Sequence, residues 1–340
     1  MDFVGVGDIH LDVGLSKFIP NINEVILNEV RSGPIRYAKR NGIPLVVFYG
    51  DICHTPTMSA DALSGLLDML LDHPDLRFIM IVGNHDVEYE GKHSLNVLKK
   101  LADRKAITNL RVIDVPTTMF KQGGTPIRFL PWPHFDVDMD ALNVIHLEVD
   151  GSQWDHGKKV ESERKTNAWC VSGHLHTKQR VKKVHYCGTL YQTSFGEKPD
   201  KYFHHITLEP NADPVIQLIP HLPKYRLGNL VLSSREDLDT IESNPTRLYK
   251  AFVKAGADIS PEDLAEFPNI VKVNSFSNRG ELEALVAEEL LMQDTEVTVN
   301  DFSVLDALTR YMERASVSDK VARRTVAALH SIIEKNAKRT

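Results

Sequence analysis

The strongest constraint on this chain is a repeated junction in which a short apolar, strand-forming run meets a glycine followed at once by Asp, Asn or His. Phe3–Val6 ends at Gly7-Asp8-Ile9-His10, Leu45–Tyr49 at Gly50-Asp51-Ile52-Cys53-His54, and Arg77–Val82 at Gly83-Asn84-His85-Asp86. Later, Asn143–Leu147 carries His146, and Trp169–Ser172 runs into Gly173-His174-Leu175-His176. Helical patterns separate the first three runs. One is Ile22–Arg40, with Pro34 opening its second half; the other is Met58–Leu71, whose Leu63, Leu66, Leu67, Leu70 and Leu71 make one apolar face. Strand, polar loop, helix, strand is the signature of a largely parallel sheet, and ligands gather at the carboxyl ends of such strands. The clusters are therefore expected along one edge of a sheet. A glycine precedes all of them except His146, where Ile145 stands instead; the backbone must turn sharply at these points and pass close to a ligand.

A length of 340 residues suggests two or three domains. After Trp169–Ser172 the short strands continue with Val184–Cys187, Phe203–Leu208 and Val215–Ile219, until Pro220 and Pro223 punctuate the chain. A second βαβαβ-like unit follows: strand Leu227–Leu232, helix Arg235–Ile241, strand Leu248–Val253, helix Pro261–Glu266, strand Ile270–Asn274 and helix Glu281–Leu291. Its loops carry no ligand cluster, so it reads as an accessory domain. Two amphipathic helices, about 304–314 and 318–336, complete the chain. Phe302, Leu305, Leu308, Tyr311 and Met312 fall at spacings that give a face for a partner's groove, or for packing on the accessory domain. The expected division is residues 1–222, 223–296 and 297–340.

With 42% hydrophobic and 25% charged residues, wholesale disorder and collagen-like or coiled-coil architectures are excluded. Cys53, Cys170 and Cys187 are scattered, with no C-x-x-C pair, which fits a reducing compartment and no structural zinc. No apolar stretch reaches the ~20 residues needed to span a bilayer. Met1–Val4 enters a strand without a basic n-region, so a cytoplasmic protein with no membrane partner is expected.

Forty Lys and Arg against 46 Asp and Glu leave a net charge of −6, which taken alone argues against nucleic acid as a partner. Bound dications would reverse the local sign. Basic runs also flank the Gly173–His176 cluster: Lys158, Lys159, Arg164 and Lys165 before it, Lys178, Arg180, Lys182 and Lys183 after it. Lys158, Lys159, Lys178 and Arg180 are candidates for phosphate-backbone contacts, which need no sequence specificity; a solvated hairpin surface is the alternative.

Two closely spaced divalent cations need several O and N ligands and a carboxylate able to bridge them. Such a pair, roughly 3.5–4 Å apart, lowers the pKa of bound water and clamps the attacking and leaving oxygens of an in-line phosphoryl displacement. No cysteine occupies a ligand-like position, which suits Mn²⁺ first and Mg²⁺ second. The chemistry expected is hydrolysis of a phosphate ester.

The order D-x-H, GD, GNHD, H, GH-x-H resembles the calcineurin-like metallophosphoesterase superfamily over roughly residues 1–220. The resemblance implies an α/β fold: a β-sandwich flanked by helices, here followed by a small α/β capping domain and C-terminal helices. It implies one metal held by Asp8, His10, Asp51 and His176. A second would be held by Asp51, Asn84, His146 and His174, with Asp51 bridging. His85 would face the scissile phosphate and act on the transition state or leaving oxygen. Many superfamily members have a second aspartate, GD-x-x-D, where this chain has His54. A histidine there resembles the SbcD-type double-strand-break repair nucleases, in which it works with the GNHD histidine on the DNA backbone. The compact layout is most similar to phage-encoded exonuclease subunits, which implies a host-cytoplasmic location. The same resemblance implies a homodimer through Met58–Leu71 and Ser94–Leu101 and, as partner of the tail, an SbcC-type coiled-coil ATPase. The activity implied is a Mn²⁺-dependent DNA exonuclease with single-strand endonuclease action. A cyclic-nucleotide or other small-substrate phosphoesterase, or a non-catalytic DNA-binding subunit, remains as the alternative.

Overall fold

Side chains that alternate between two buried faces decide the layering of this molecule. The computed structural model describes residues 1–291, apart from 90, 120–123 and 156. In chain order its strands are β1 (Asp2–Val6), β2 (Leu45–Phe48), β3 (Arg77–Ile81), β4 (Val87–Tyr89), β5 (Lys92–His93), β6 (Leu110–Ile113), β7 (Thr117–Met119), β8 (Ile127–Leu130), β9 (Leu142–Ile145), β10 (Cys170–Ser172), β11 (Gln179–Val181), β12 (Val184–Tyr186), β13 (Lys201–Thr207), β14 (Val215–His221), β15 (Arg226–Leu232), β16 (Arg247–Lys254) and β17 (Ile270–Phe276). The α-helices are α1 (Ile22–Val30), α2 (Arg36–Arg40), α3 (Ala60–Leu71), α4 (Asn96–Asp103), α5 (Pro261–Ala265) and α6 (Arg279–Leu291).

One sheet has the order β14-β13-β1-β2-β3-β6 and a second β11-β12-β10-β9-β8-β7. Strands β1, β2, β3 and β6 are parallel, as are β8, β9, β10 and β12. Phe3, Val47, Ile79 and Ile81 of the first sheet meet Phe129, Val144 and Val171 of the second in one buried cluster. Their strand neighbours Val4, Val46, Phe48, Phe78 and Met80 pack instead with Ile26 and Leu27 of α1 and Leu66 and Leu70 of α3. Strands buried on both faces read as continuous apolar runs rather than alternating ones, which is why the junctions were visible in sequence. The result is the expected α/β class, a β-sandwich flanked by helices.

The predicted helix over Ile22–Arg40 is broken. A π-type turn over Arg31–Ile35 contains Pro34, which has no N–H to return to the preceding turn, and the wider turn accommodates the missing bond. Arg235–Thr240 is a 3₁₀ turn rather than an α-helix, closed by a capping box between Ser234 and Asp237. Strands β6, β7, β8 and β11 complete the two sheets without having been foreseen; in β6 the exposed Arg111 interrupts the apolar run.

The accessory unit forms a separate parallel sheet, β15-β16-β17. The Gln192 amide ties it to the sandwich: its Nε2 donates to Leu227 O at 2.8 Å and its Oε1 accepts from Leu227 N at 3.0 Å. Phe302, Leu305, Leu308, Tyr311 and Met312, with the two helices expected around them, lie outside the described residues. All three cysteines are buried and free. Among the described residues no helix is long and apolar enough to cross a membrane.

Phe129 is fully buried between the two sheets. Replacing it with Ala should cost about 3–5 kcal/mol, read as a lowered urea midpoint without a changed slope.

Candidate metal centre

Strands β1, β2, β3, β9 and β10 each run, at the carboxyl end, into a loop that carries expected ligands. The first two loops are laced together. Ile9 N and His10 N donate to Asp51 O at 3.1 and 3.0 Å, Leu11 N to Ile52 O at 2.8 Å, and His54 N to Leu11 O at 2.7 Å. His10, Asp51 and His174 adopt positive φ (44°, 47° and 80°), a region that non-glycine residues enter at a cost and that clusters at functional sites.

Asp86, the last residue of GNHD, braces the loops from below. Its buried carboxylate accepts from Gly83 N at 3.0 Å, Ile52 N at 3.3 Å, Cys53 N at 3.0 Å and Ser94 Oγ at 2.9 Å. A Cβ at Gly83 would overlap the Asp51 carboxylate and its backbone nitrogen, so only glycine allows this approach.

Two groups of ligand atoms meet around Asp51. On one side, His10 Nε2 lies 3.0 Å from His176 Nε2 and 3.9 Å from Asp51 Oδ2. Asp8, His10 and His176 bring one ligand atom each within 4.8 Å of one another. On the other side, His146 Nε2 is 3.1 Å from Asp51 Oδ2 and 2.9 Å from Asn84 Oδ1, while His174 Nδ1 is 3.0 Å from Asn84 Oδ1. Ligands at right angles around one ion, each about 2.1 Å from it, stand about 3.0 Å apart, so this spacing suits a small divalent cation. Asp51 Oδ2 faces both groups, and its Oδ1 accepts from His85 N at 2.9 Å.

The donor set is one that calls for cations. Asp8 Oδ1 is buried without a hydrogen-bond partner. Burial, with the Asp51 carboxylate close by, pushes the Asp8 carboxyl up to about 6. Facing imidazole nitrogens such as those of His10 and His176 can share only one proton between them. Dications at the two groups would satisfy all of these atoms.

His146, the one ligand without its own preceding glycine, is seated by its neighbours. Its Nδ1 lies 2.6 Å from Tyr49 O; the carbonyl can only accept, so Nδ1 carries the proton and Nε2 is left to ligate. A Cβ at Gly50 or Gly173 would crowd that ring, and Ile145 packs in the outer cluster of the second sheet, away from it.

His54 and His85 stack beside these groups, with ring centroids 5.4 Å apart and an interplanar angle of 18°. His85 Nδ1 donates to His54 O at 3.0 Å. The same carbonyl argument leaves Nε2 of His85 as its working nitrogen. Both rings also approach His10, so His10, His54 and His85 form a third set of converging nitrogens.

Several carboxylates were missed in sequence. Glu148 stands beside His174, and Glu197 and Asp155 beside His176. Burial alone would raise the Glu197 carboxyl, but Lys201 and His176 together hold it down at about 2. Glu148 had a readable cue, two positions beyond His146 in the loop after β9; Glu197 lies 21 residues from His176 and had none. The two basic runs come side by side. Gln153 pairs with Lys159 across the loop after β9, and Gln153 N and O bond the Gln179 amide of β11 at 2.8 Å each. Lys158, Lys159, Lys178 and Arg180 are exposed there, and Lys178 Nζ sits 3.7 Å above the Tyr202 ring.

A family model described as calcineurin-like phosphoesterase matches residues 1–248. Exonuclease subunit 1 of Enterobacteria phage T4 is 27% identical over 217 residues, which is 59% of this chain and 62% of that protein. The chain thus matches less than two thirds of that relative's length.

Replacing Asp86 with Ala strands three backbone donors and should lower stability by about 3 kcal/mol while weakening divalent-cation binding. Urea unfolding and calorimetric Mn²⁺ titration would check the two effects.

Proposed function

The chain belongs to the calcineurin-like phosphoesterase family, and from that premise we propose that it is a DNA nuclease: an exonuclease subunit with single-strand endonuclease action. The observation that carries this reading is the stacked His54–His85 pair beside Asp51, where a carboxylate at position 54 would favour other substrates. The name of the phage T4 relative supports the same reading.

Asp8, His10, Asp51 and His176 would hold one cation, and Asp51, Asn84, His146 and His174 the other. When bound, a pair of Mn²⁺ ions supplies an acidified water and neutralises charge on the phosphoryl oxygens. His85, tethered through Nδ1, presents Nε2 to the leaving oxygen and gives it a proton; His54 packs against its face and holds it in place. Lys158, Lys159, Lys178 and Arg180 would grip backbone phosphates without reading bases.

The wider assembly follows the same reading. Residues 1–222 carry catalysis, 223–296 cap the DNA, and 297–340 bind an SbcC-type ATPase in the host cytoplasm. Leu71 on α3 and Val97 on α4 leave apolar surface in solvent, which supports a homodimer through these helices.

The test is digestion of end-labelled duplex with Mn²⁺, with and without a co-expressed coiled-coil ATPase. Cleavage is expected, and His85→Ser should abolish it while sparing Mn²⁺ and DNA binding. Intact duplex alongside rapid hydrolysis of a cyclic nucleotide would overturn the nuclease reading.

A further inference from the structure

The two histidines of Gly173-His174-Leu175-His176 turn opposite nitrogens toward the centre, and each has a carboxylate behind it. His176 directs Nε2 at His10, while its Nδ1 donates to Glu197 Oε1 at 3.1 Å. His174 directs Nδ1 at Asn84, while its Nε2 lies 3.2 Å from Glu148 Oε2. Each carboxylate in turn meets a cation: Lys201 Nζ is 2.5 Å from Glu197 Oε2, and Arg164 Nη1 bonds Glu148 Oε1. The Glu197–Lys201 pair is almost wholly withdrawn from solvent, with side chains 0% and 2% exposed. Thr189 Oγ1 accepts from Lys201 at 2.8 Å and Thr193 N donates to Glu197 at 3.1 Å, so the pair is embedded in hydrogen bonds.

A buried ion pair is weak evidence for stability, because desolvation offsets most of its attraction. The same volume filled by apolar side chains would serve the core as well. What an apolar filling cannot do is hold an imidazole in one tautomer and raise the basicity of its far nitrogen, which a carboxylate behind a ligating histidine does.

We propose that Glu197 and Glu148 are positioning residues for the metal centre: Glu197 keeps His176 with Nε2 inward and Glu148 keeps His174 with Nδ1 inward, while Lys201 and Arg164 tie the carboxylates back from the cations. Two carboxylates thus back one centre, one behind each metal position: Glu197 through a hydrogen bond to His176 and Glu148 through an ion-pair approach of 3.2 Å to His174. Without Lys201, the Glu197 carboxylate would be free to swing toward the cations as a competing ligand; the clamp at 2.5 Å opposes that. The inference rests on the two-cation reading of the site and not on DNA as the substrate.

The experiment is calorimetric Mn²⁺ titration of the full chain without DNA. Glu197→Gln and Glu148→Gln should each weaken Mn²⁺ binding by about 10–100-fold, the usual effect of removing such a partner. Because Glu197→Gln strands the buried Lys201, a paired variant, Glu197→Gln with Lys201→Met, removes both charges. The paired variant should regain the melting temperature of the parent while Mn²⁺ affinity stays low. Recovery of affinity together with stability would make the role structural and overturn the proposal, as would unchanged affinity in both single variants. Duplex left uncut by a parent chain whose Mn²⁺ binding depends on Glu197 would overturn only the nuclease reading. Failure of the parent to bind Mn²⁺ would overturn both.

Discussion

The Asp51 carboxylate is the point on which the site depends. It is buried, it sits on a left-handed turn, and each of its oxygens is committed: Oδ1 to the backbone of His85, Oδ2 to the space between His10 and His146. A carboxylate so placed, with Asp8 also withdrawn from water, concentrates negative charge where no solvent can screen it. Imidazoles turned toward it from both sides make the arrangement one that cations complete. The surrounding backbone exists to hold that crowding: Gly83 gives way to the carboxylate, Asp86 ties Gly83, Ile52 and Cys53 together, and the loop after β1 pairs with the loop after β2.

This local charge also bears on how an acidic chain could take the polyanionic substrate proposed for it. The net charge of −6 is a sum over the whole surface, whereas a phosphate meets a small part of it. Near the centre the loop after β9 and strand β11 bring two basic runs onto neighbouring segments through the Gln153–Gln179 pairing. Two dications at the Asp51 groups would add to that field and not to the formal count.

Much of the architecture was legible because doubly buried parallel strands leave uninterrupted apolar runs, and because glycine marks where each run must turn. Phe3–Val6, Leu45–Tyr49, Arg77–Val82 and Trp169–Ser172 are of that kind. The strands that were missed, β6, β7, β8 and β11 of the two sheets and the β4-β5 hairpin, are short, and in β6 and β8 an Arg interrupts the apolar run. Pro34 was read as a helix start and stands inside a π-type turn, because the wider turn takes up the hydrogen bond that proline cannot make and lets the helix continue into Arg36–Arg40.

By itself the sequence determined the residue types at the centre and their order, since Asp, Asn and His follow one apolar, strand-forming run after another. It also determined that His146 lacks its own glycine. Only the tertiary structure decided which nitrogen each histidine turns inward, because that depends on acceptors far away in the chain: Tyr49 O for His146, His54 O for His85 and Glu197 for His176. A sequence lists donors and acceptors, but a tautomer is set by the partner that packing brings within about 3 Å.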